Sequence, residues 1–204
     1  MYGYKSAVIC AAITDMAICE TNPDETKTVN VTGTIELIKN FLQKKIHIVF
    51  LSTNQVFDGE EPMRKPDAPR NLINEYGKQK AEVETFIEEL SNACTLRLTK
   101  VIHPGLVLLE TWQNSLTNGQ PVHAFSDMSL STISIDEVVQ KIDFLVKEKA
   151  TGVFQLSGEK DISYFEFSQE FAIENGYSPV LVKKDSWRGK LELAPPKFTS
   201  MVNV

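Results

Sequence analysis

The chain has 204 residues, of which 42% are hydrophobic and 24% charged, the profile of a soluble globular protein with enough apolar residues for a core. A net charge of −6 without a stripe of Lys and Arg argues against a nucleic-acid partner, and no run approaches the ~18–20 apolar residues of a membrane span. Cys10, Cys19 and Cys94 are odd in number and lack metal-ligand spacing, so buried free thiols in a reducing, cytoplasmic setting are expected.

Ala7 to Ile13 is expected to form a buried strand rather than a secretion signal, because Asp15 and Glu20 follow and no small-residue cleavage site is evident. Asn22-Pro23-Asp24-Glu25 combines an N-cap residue, a first-turn proline and a capping-box glutamate, which predicts a helix from there to about Gln43. Ile46 to Leu51 is a second strand that stops at the polar cluster Ser52-Thr53-Asn54. Active sites of open α/β sheets lie at such carboxyl ends.

A proline-rich loop from Pro62 to Pro69 precedes a helix from near Asn74 to about Leu90, with Val83, Ile87 and Leu90 on one side and Tyr76 and Lys80 on another. Cys94 to Thr99 is the next parallel strand and completes a β-α-β unit. Beyond Pro104 loops dominate as far as Ser134-Ile135-Asp136, where a helix begins and continues to about Lys149. A short strand, Val153 to Leu156, and a helix opened by the capping box Ser163-x-x-Glu166 and ended by Gly176 follow. The alternation predicts an α/β fold: a partial Rossmann-like, doubly wound parallel sheet over residues 1–104 and a small α+β substrate lobe over residues 105–204.

Tyr76 and Lys80 form the only Tyr-x-x-x-Lys of the chain, and residues four apart share one face of a helix. A phenol with a pKa near 10 is a sluggish acid at neutral pH unless a cation within ~4–6 Å stabilises its phenolate. The Lys80 ammonium can supply that cation, and a hydroxyl at Thr53, on the strand end, can hydrogen-bond a substrate carbonyl. Such a trio suits proton transfer to a carbonyl that receives hydride from a reduced nicotinamide. His47, His103 and His123 lack ligand-like partners and are expected to be structural or incidental.

Four motifs, Ala11-Ala12-Ile13-Thr14, Val29-Asn30-Val31-Thr32-Gly33-Thr34, Leu51 to Gly59 and Tyr76-Gly77-Lys78-Gln79-Lys80, occur in this order. Together they resemble the extended short-chain dehydrogenase/reductases, and among these the dTDP-4-dehydrorhamnose reductases. The resemblance implies Thr53, Tyr76 and Lys80 as catalytic residues, a nicotinamide ribose (NAD or NADP) along Ala12, Ile13 and Thr14 and touching Tyr76 and Lys80, and a nucleotide sugar held in part by Thr53, Asn54 and Lys100. Two departures stand out: the family's Ser-Thr-Asp-Tyr is Ser52-Thr53-Asn54-Gln55 here, and its substrate-stacking tryptophan is Lys100. Asn30 and Gly33 are expected to serve close helix-to-sheet packing.

The ten glycines include no G-x-G or G-x-x-G pair, so no glycine-rich turn for a cofactor pyrophosphate is present in the chain. Compared with the family, the first β-α-β-α-β half is missing, and either Met1 is not the natural start or the chain is a fragment or a degenerate gene product. The expected function is NAD(P)-dependent reduction of a 4-keto nucleotide sugar, or a truncated form of that enzyme. The alternative is a non-catalytic sugar-nucleotide-binding or regulatory homologue. The first strand, bared on one side, is expected to drive homo-oligomer formation.

Overall fold

The computed structural model describes residues 3–191 and 194–204; the expectation about Met1 falls outside them. Strand β1 (Ser6–Ile9) leads into helix α1 (Met16–Thr21), capped by the Asp15 carboxylate on the Ile18 N–H. β1 is shorter than the expected Ala7 to Ile13, because its register with the next strand ends at Ile9 opposite Phe50. The following carbonyl, Leu51, accepts a side-chain ammonium, and Ile13 turns its own backbone to a side-chain amide. Helix α1 was not expected.

Helix α2 (Pro23–Lys27) begins with proline in the first turn as predicted, but the Asn22 side chain does not cap it and donates to Thr21 Oγ1 instead. The helix continues through a wide turn with π-type bonding at Thr28–Gly33 into α3 (Thr34–Gln43). Such single π turns insert an extra residue and re-aim the side chains around them. Here Asn30 is turned into the interior.

Strand β2 (His47–Thr53) ends in a 3-10 turn at Asn54–Val56, and α4 (Glu75–Glu88) follows the proline-rich loop. Next come β3 (Ala93–Leu98), β4 (Lys100–Ile102) and α5 (Val107–Thr117). The last of these corrects the expectation of loops up to residue 134. Leu108, Trp112 and Leu116 carry a helical period, but Leu106 at the N-cap gives no side-chain cap to mark a start.

The rest of the chain comprises β5 (Val122–Phe125), β6 (Ser129–Leu130), β7 (Thr132–Ser134), α6 (Ile135–Glu148), β8 (Gly152–Leu156), β9 (Ile162–Ser163), α7 (Tyr164–Glu174) and β10 (Val182–Asp185). Both α6 and α7 start with complete capping boxes, from Ser134 with Glu137 and from Ser163 with Glu166.

The main sheet is parallel, in the order β1-β2-β3-β8. One core lies on one side, where Ile38 and Val31 meet Ile48, Phe50, Val83 and Ile87. The other side carries Val49, Leu96 and Leu145. A separate core of Trp112, Leu116, Val122, Ala124, Ala172 and Val182 supports a smaller lobe built on α5, α7 and the parallel pair β5 and β10.

The division at residue 104 needs correction, because the chain returns to the main sheet at β8, where Leu156 pairs with Leu98. The final residues also fold back onto the sheet. Gln155 donates to the carbonyls of Arg64 and Val202, and the Val204 N–H reaches the Gln155 carbonyl.

Candidate active site

The carboxyl ends of β2 and β3 lie side by side, with Thr53 paired to Leu98. Alternation along β2 sends its last two hydroxyls to opposite faces. The Ser52 Oγ donates to Glu84 Oε1 at 2.5 Å, whereas the Thr53 Oγ1 accepts from the Gln55 N–H at 3.2 Å and so caps the short 3-10 turn. Asn54 is half-buried beside it.

Helix α4 is anchored against that turn at its first residues. Asn74 caps it, accepting from the Gly77 N–H at 2.7 Å, and donates through its amide to Gln55 Oε1 at 3.0 Å. Gly77 must be small, since a Cβ there would stand 2.2 Å from the Gln55 carbonyl oxygen. On α1, Glu20 accepts from the free Glu75 N–H, a favourable place for a carboxylate at a helix N-terminus.

This close seating brings Tyr76 and Lys80 to the strand end. The Lys80 Nζ donates to the Leu51 carbonyl at 2.9 Å and sits 4.7 Å from the Phe50 ring centroid and 5.9 Å from that of Tyr76. Burial lowers the Lys80 ammonium to about 8, with Glu84 one turn along the helix opposing the shift. Burial likewise pushes the Tyr76 phenol up to about 12, the Cys19 thiol adding to the effect. The expected acidification of the phenol by Lys80 is therefore outweighed by burial, the first cause of the upward shift.

The segment Ala12, Ile13 and Thr14 reaches the same end of the sheet and is clasped from behind. Asn30 accepts from the Ile13 N–H at 2.7 Å and donates to the Ile13 carbonyl at 2.9 Å. The same amide donates to Gln79 Oε1 at 2.7 Å, and Gln79 Nε2 donates to Thr26 Oγ1 at 2.8 Å. Asn30 is thus a polar clasp joining this segment to α4, not a packing residue, and Gly33 is exposed with only the Thr28 carbonyl near a built Cβ. Sequence reasoning missed Gln79, Glu84 and Arg97. The available signal was a run of polar residues at positions whose helical or strand neighbours are core.

Lys100 opens β4, two residues beyond Leu98, and pairs in register with Thr132. It is half-buried, and burial alone lowers its pKa. Of the cysteines, Cys19 and Cys94 are buried as expected, but Cys10 is exposed just past β1. No cluster of three or more metal-ligating side chains occurs among the described residues, and none of their helices is long and apolar enough to cross a membrane. His47 is buried with Nε2 against the Ala150 carbonyl, and His123 is exposed on β5.

The Ile13 backbone, held by Asn30, is tied through Gln79 to the helix that carries Tyr76 and Lys80. The pyrophosphate end of a nicotinamide cofactor has no counterpart, as the described helix starts near the site carry no glycine-rich turn.

The family described as RmlD substrate binding domain matches residues 4–193. A probable low-salt glycan biosynthesis reductase of Haloferax volcanii is 26% identical over 191 residues, covering 89% of this chain and 63% of that protein. The methionine adenosyltransferase 2 subunit beta of Bos taurus is 28% identical over 163 residues, covering 78% of this chain and 47% of that one. The chain thus spans about half to two thirds of the length of these relatives. A crystal structure of dTDP-4-dehydrorhamnose reductase from Bacillus anthracis in complex with NADP superposes with a TM-score of 0.89 at 21% identity, over 97% of this chain and 71% of that one.

Proposed function

The chain belongs to the RmlD substrate-binding-domain family, and on that footing we propose that it is an NAD- or NADP-dependent reductase of a 4-keto nucleotide sugar, or a part of one. The observation that supports the reading is the docking of Lys80 on the Leu51 carbonyl, which seats the helix carrying Tyr76 and Lys80 against the carboxyl-terminal half of β2, the strand that ends at Thr53. The nicotinamide would supply hydride to the keto carbon. Thr53, with a hydroxyl that can turn from its turn-capping bond, orients the keto oxygen. Tyr76 is protonated at neutral pH and donates a proton to that oxygen, against the upward push that burial puts on its phenol. Asn54 and Lys100 flank the sugar side. Free thiols and the sugar-nucleotide reading together suit a cytoplasmic protein.

The test is steady-state reduction of 4-keto nucleotide sugars by the natural polypeptide that carries these residues. Tyr76→Phe is expected to remove nearly all turnover while largely sparing the fold, and Lys80→Ala to weaken both turnover and cofactor affinity. Retention of more than about a tenth of the parental rate by Tyr76→Phe, a barrier change under ~1.4 kcal/mol, would overturn the assignment.

A second reading is a non-catalytic subunit that binds a nucleotide sugar. It is supported by the Thr53 hydroxyl being held in a turn, by the phenol pushed away from neutrality, and by the likeness to a subunit termed beta of methionine adenosyltransferase 2. Saturable nucleotide-sugar binding without turnover by the natural polypeptide would favour it.

A further inference from the structure

Residues 197–204 lie alongside the proline-rich loop and β8, and each from Phe198 onward is hydrogen-bonded to the body of the protein. Phe198 and Val202 donate to the carbonyls of Gly59 and Arg64, and Arg64 donates in turn to that of Ser200. On the other side the Asn203 amide pairs with the Ser157 backbone, and the Met201 N–H meets the Ser157 hydroxyl at 2.9 Å. The anchor is Asp161, between β8 and β9. Its carboxylate accepts from the N–H and the hydroxyl of both Thr199 and Ser200 at 2.5–3.1 Å, and from no other group among the described residues.

Met201 carries this hold into the site. Its side chain is sealed from solvent in a small cluster with Val56, Phe57 and Ala81. Val56 closes the 3-10 turn that the Thr53 hydroxyl caps, and Ala81 directly follows Lys80 on α4. One apolar side chain from a distant part of the chain thus fills the joint between the two elements that carry Thr53 and Lys80. Removing it leaves a cavity that the neighbours close only in part. The rest of the segment is held mainly by hydrogen bonds near the surface, and segments held in that way open at a lower free energy than a core does.

We propose that residues 197–204 are a strap that assembles the candidate active site. Seated on Asp161, the strap holds Met201 between the Thr53-capped turn and α4; released, it frees that turn, the proline-rich loop and the first turn of the Tyr76 helix together. Met201 is thereby a positioning residue, and its contact is controlled from Asp161, which touches neither the turn nor the helix. The inference rests on the reductase reading for what the site does, whereas the seating of the strap is measured without turnover.

The experiment is amide hydrogen exchange, read by NMR, on the 204-residue chain and on Met201→Ala, Met201→Leu and Asp161→Ala. The probes are the amides of Gln55, Phe57 and Gly77, bonded to the Thr53 hydroxyl, the Asn54 carbonyl and the Asn74 side chain. Met201→Ala and Asp161→Ala are each expected to speed exchange there by at least about tenfold, while Val49 and Leu96 in the main sheet keep the parental rates. Met201→Leu, which refills the joint, is expected to restore them. Leu116→Ala, a comparable loss in the separate core of the smaller lobe, is expected to leave the three probes unchanged. Parental rates at the probes in Asp161→Ala overturn the inference, and so does equal acceleration by Leu116→Ala or throughout the main sheet. In the natural polypeptide Asp161→Ala is expected to lower kcat for 4-keto nucleotide sugars by about tenfold, and an unchanged kcat beside accelerated exchange overturns the inference as well. If the parental polypeptide reduces no such sugar, the reductase reading falls, and the exchange rates still decide whether the strap assembles the site.

Discussion

Arg97 and Glu84 form a forked ion pair between β3 and α4, with Arg97 Nη2 at 2.7 Å and Nε at 3.1 and 3.2 Å from the carboxylate oxygens, and both side chains sealed from solvent. Ser52 and Arg70 complete the carboxylate, while Arg97 Nη1 reaches the Pro66 carbonyl and Gln155. The pair therefore binds the helix carrying Tyr76 and Lys80 to the strand beneath it and to the proline-rich loop.

Glu84→Gln removes the charge and leaves Arg97 buried with no counter-ion. Breaking such a pair from one side costs about 3–5 kcal/mol, because the surviving charge stays desolvated. Urea unfolding of parent and variant should show this loss; a difference below ~1 kcal/mol would mean that solvent reaches Arg97 after all.

Asn30→Leu keeps the branched outline of the side chain but strips the Ile13 N–H and carbonyl of their partners and leaves the Gln79 carbonyl oxygen unmatched. Each orphaned buried group costs about 1–3 kcal/mol. Stability should fall by at least ~2 kcal/mol, and hydrogen exchange at the Ile13 amide should accelerate more than at the β2 amides. Equal acceleration throughout the sheet would argue that Asn30 supports the fold without specifically holding Ile13.

Lys80 gives a pH signature of definite sign. Its ammonium titrates at about 8 in the fold against a reference of 10.5, so below 8 both states hold the proton and the burial cost is present in full. Between those values the unfolded chain binds more protons, and stability rises with pH, by on the order of 3 kcal/mol in total. Cys19 and Cys94 act oppositely above a reference of 9.0, being held protonated in the fold. The difference between parent and Lys80→Met isolates the lysine. It should climb from pH 8 to 10.5, and a flat difference curve would show that the ammonium is hydrated.

The free side of β1 predicts how residues 1–204 behave alone. Among the described residues β1 pairs with β2 alone, its Val8 is exposed, and the exposed Met16, Ile18, Val29 and Leu37 follow between α1 and α3. An edge of this kind recruits another chain. Size-exclusion chromatography should give dimers or larger species, shifted to monomer by Val8→Lys, and NADH or NADPH should show no saturable binding at submillimolar concentration for want of a pyrophosphate cradle. A monodisperse parent binding either cofactor at micromolar affinity would reverse both expectations.

The residues alone marked several elements whose signals lie between neighbours in sequence, though not α1 or α5. Apolar runs marked β2 and β3, the capping boxes at Ser134 and Ser163 marked α6 and α7, and the four-residue spacing placed Tyr76 and Lys80 on one helix face, since period and cap chemistry are local. Tertiary structure alone decided which of those groups are bonded to what. The Lys80 ammonium bonded to the Leu51 carbonyl and burial raised the Tyr76 phenol; Asn30 bridged 17 residues to Ile13 and 49 to Gln79; and β8 crossed from the expected second lobe into the main sheet. Desolvation and long-range hydrogen bonding depend on what burial brings together, and no local pattern in the chain encodes them.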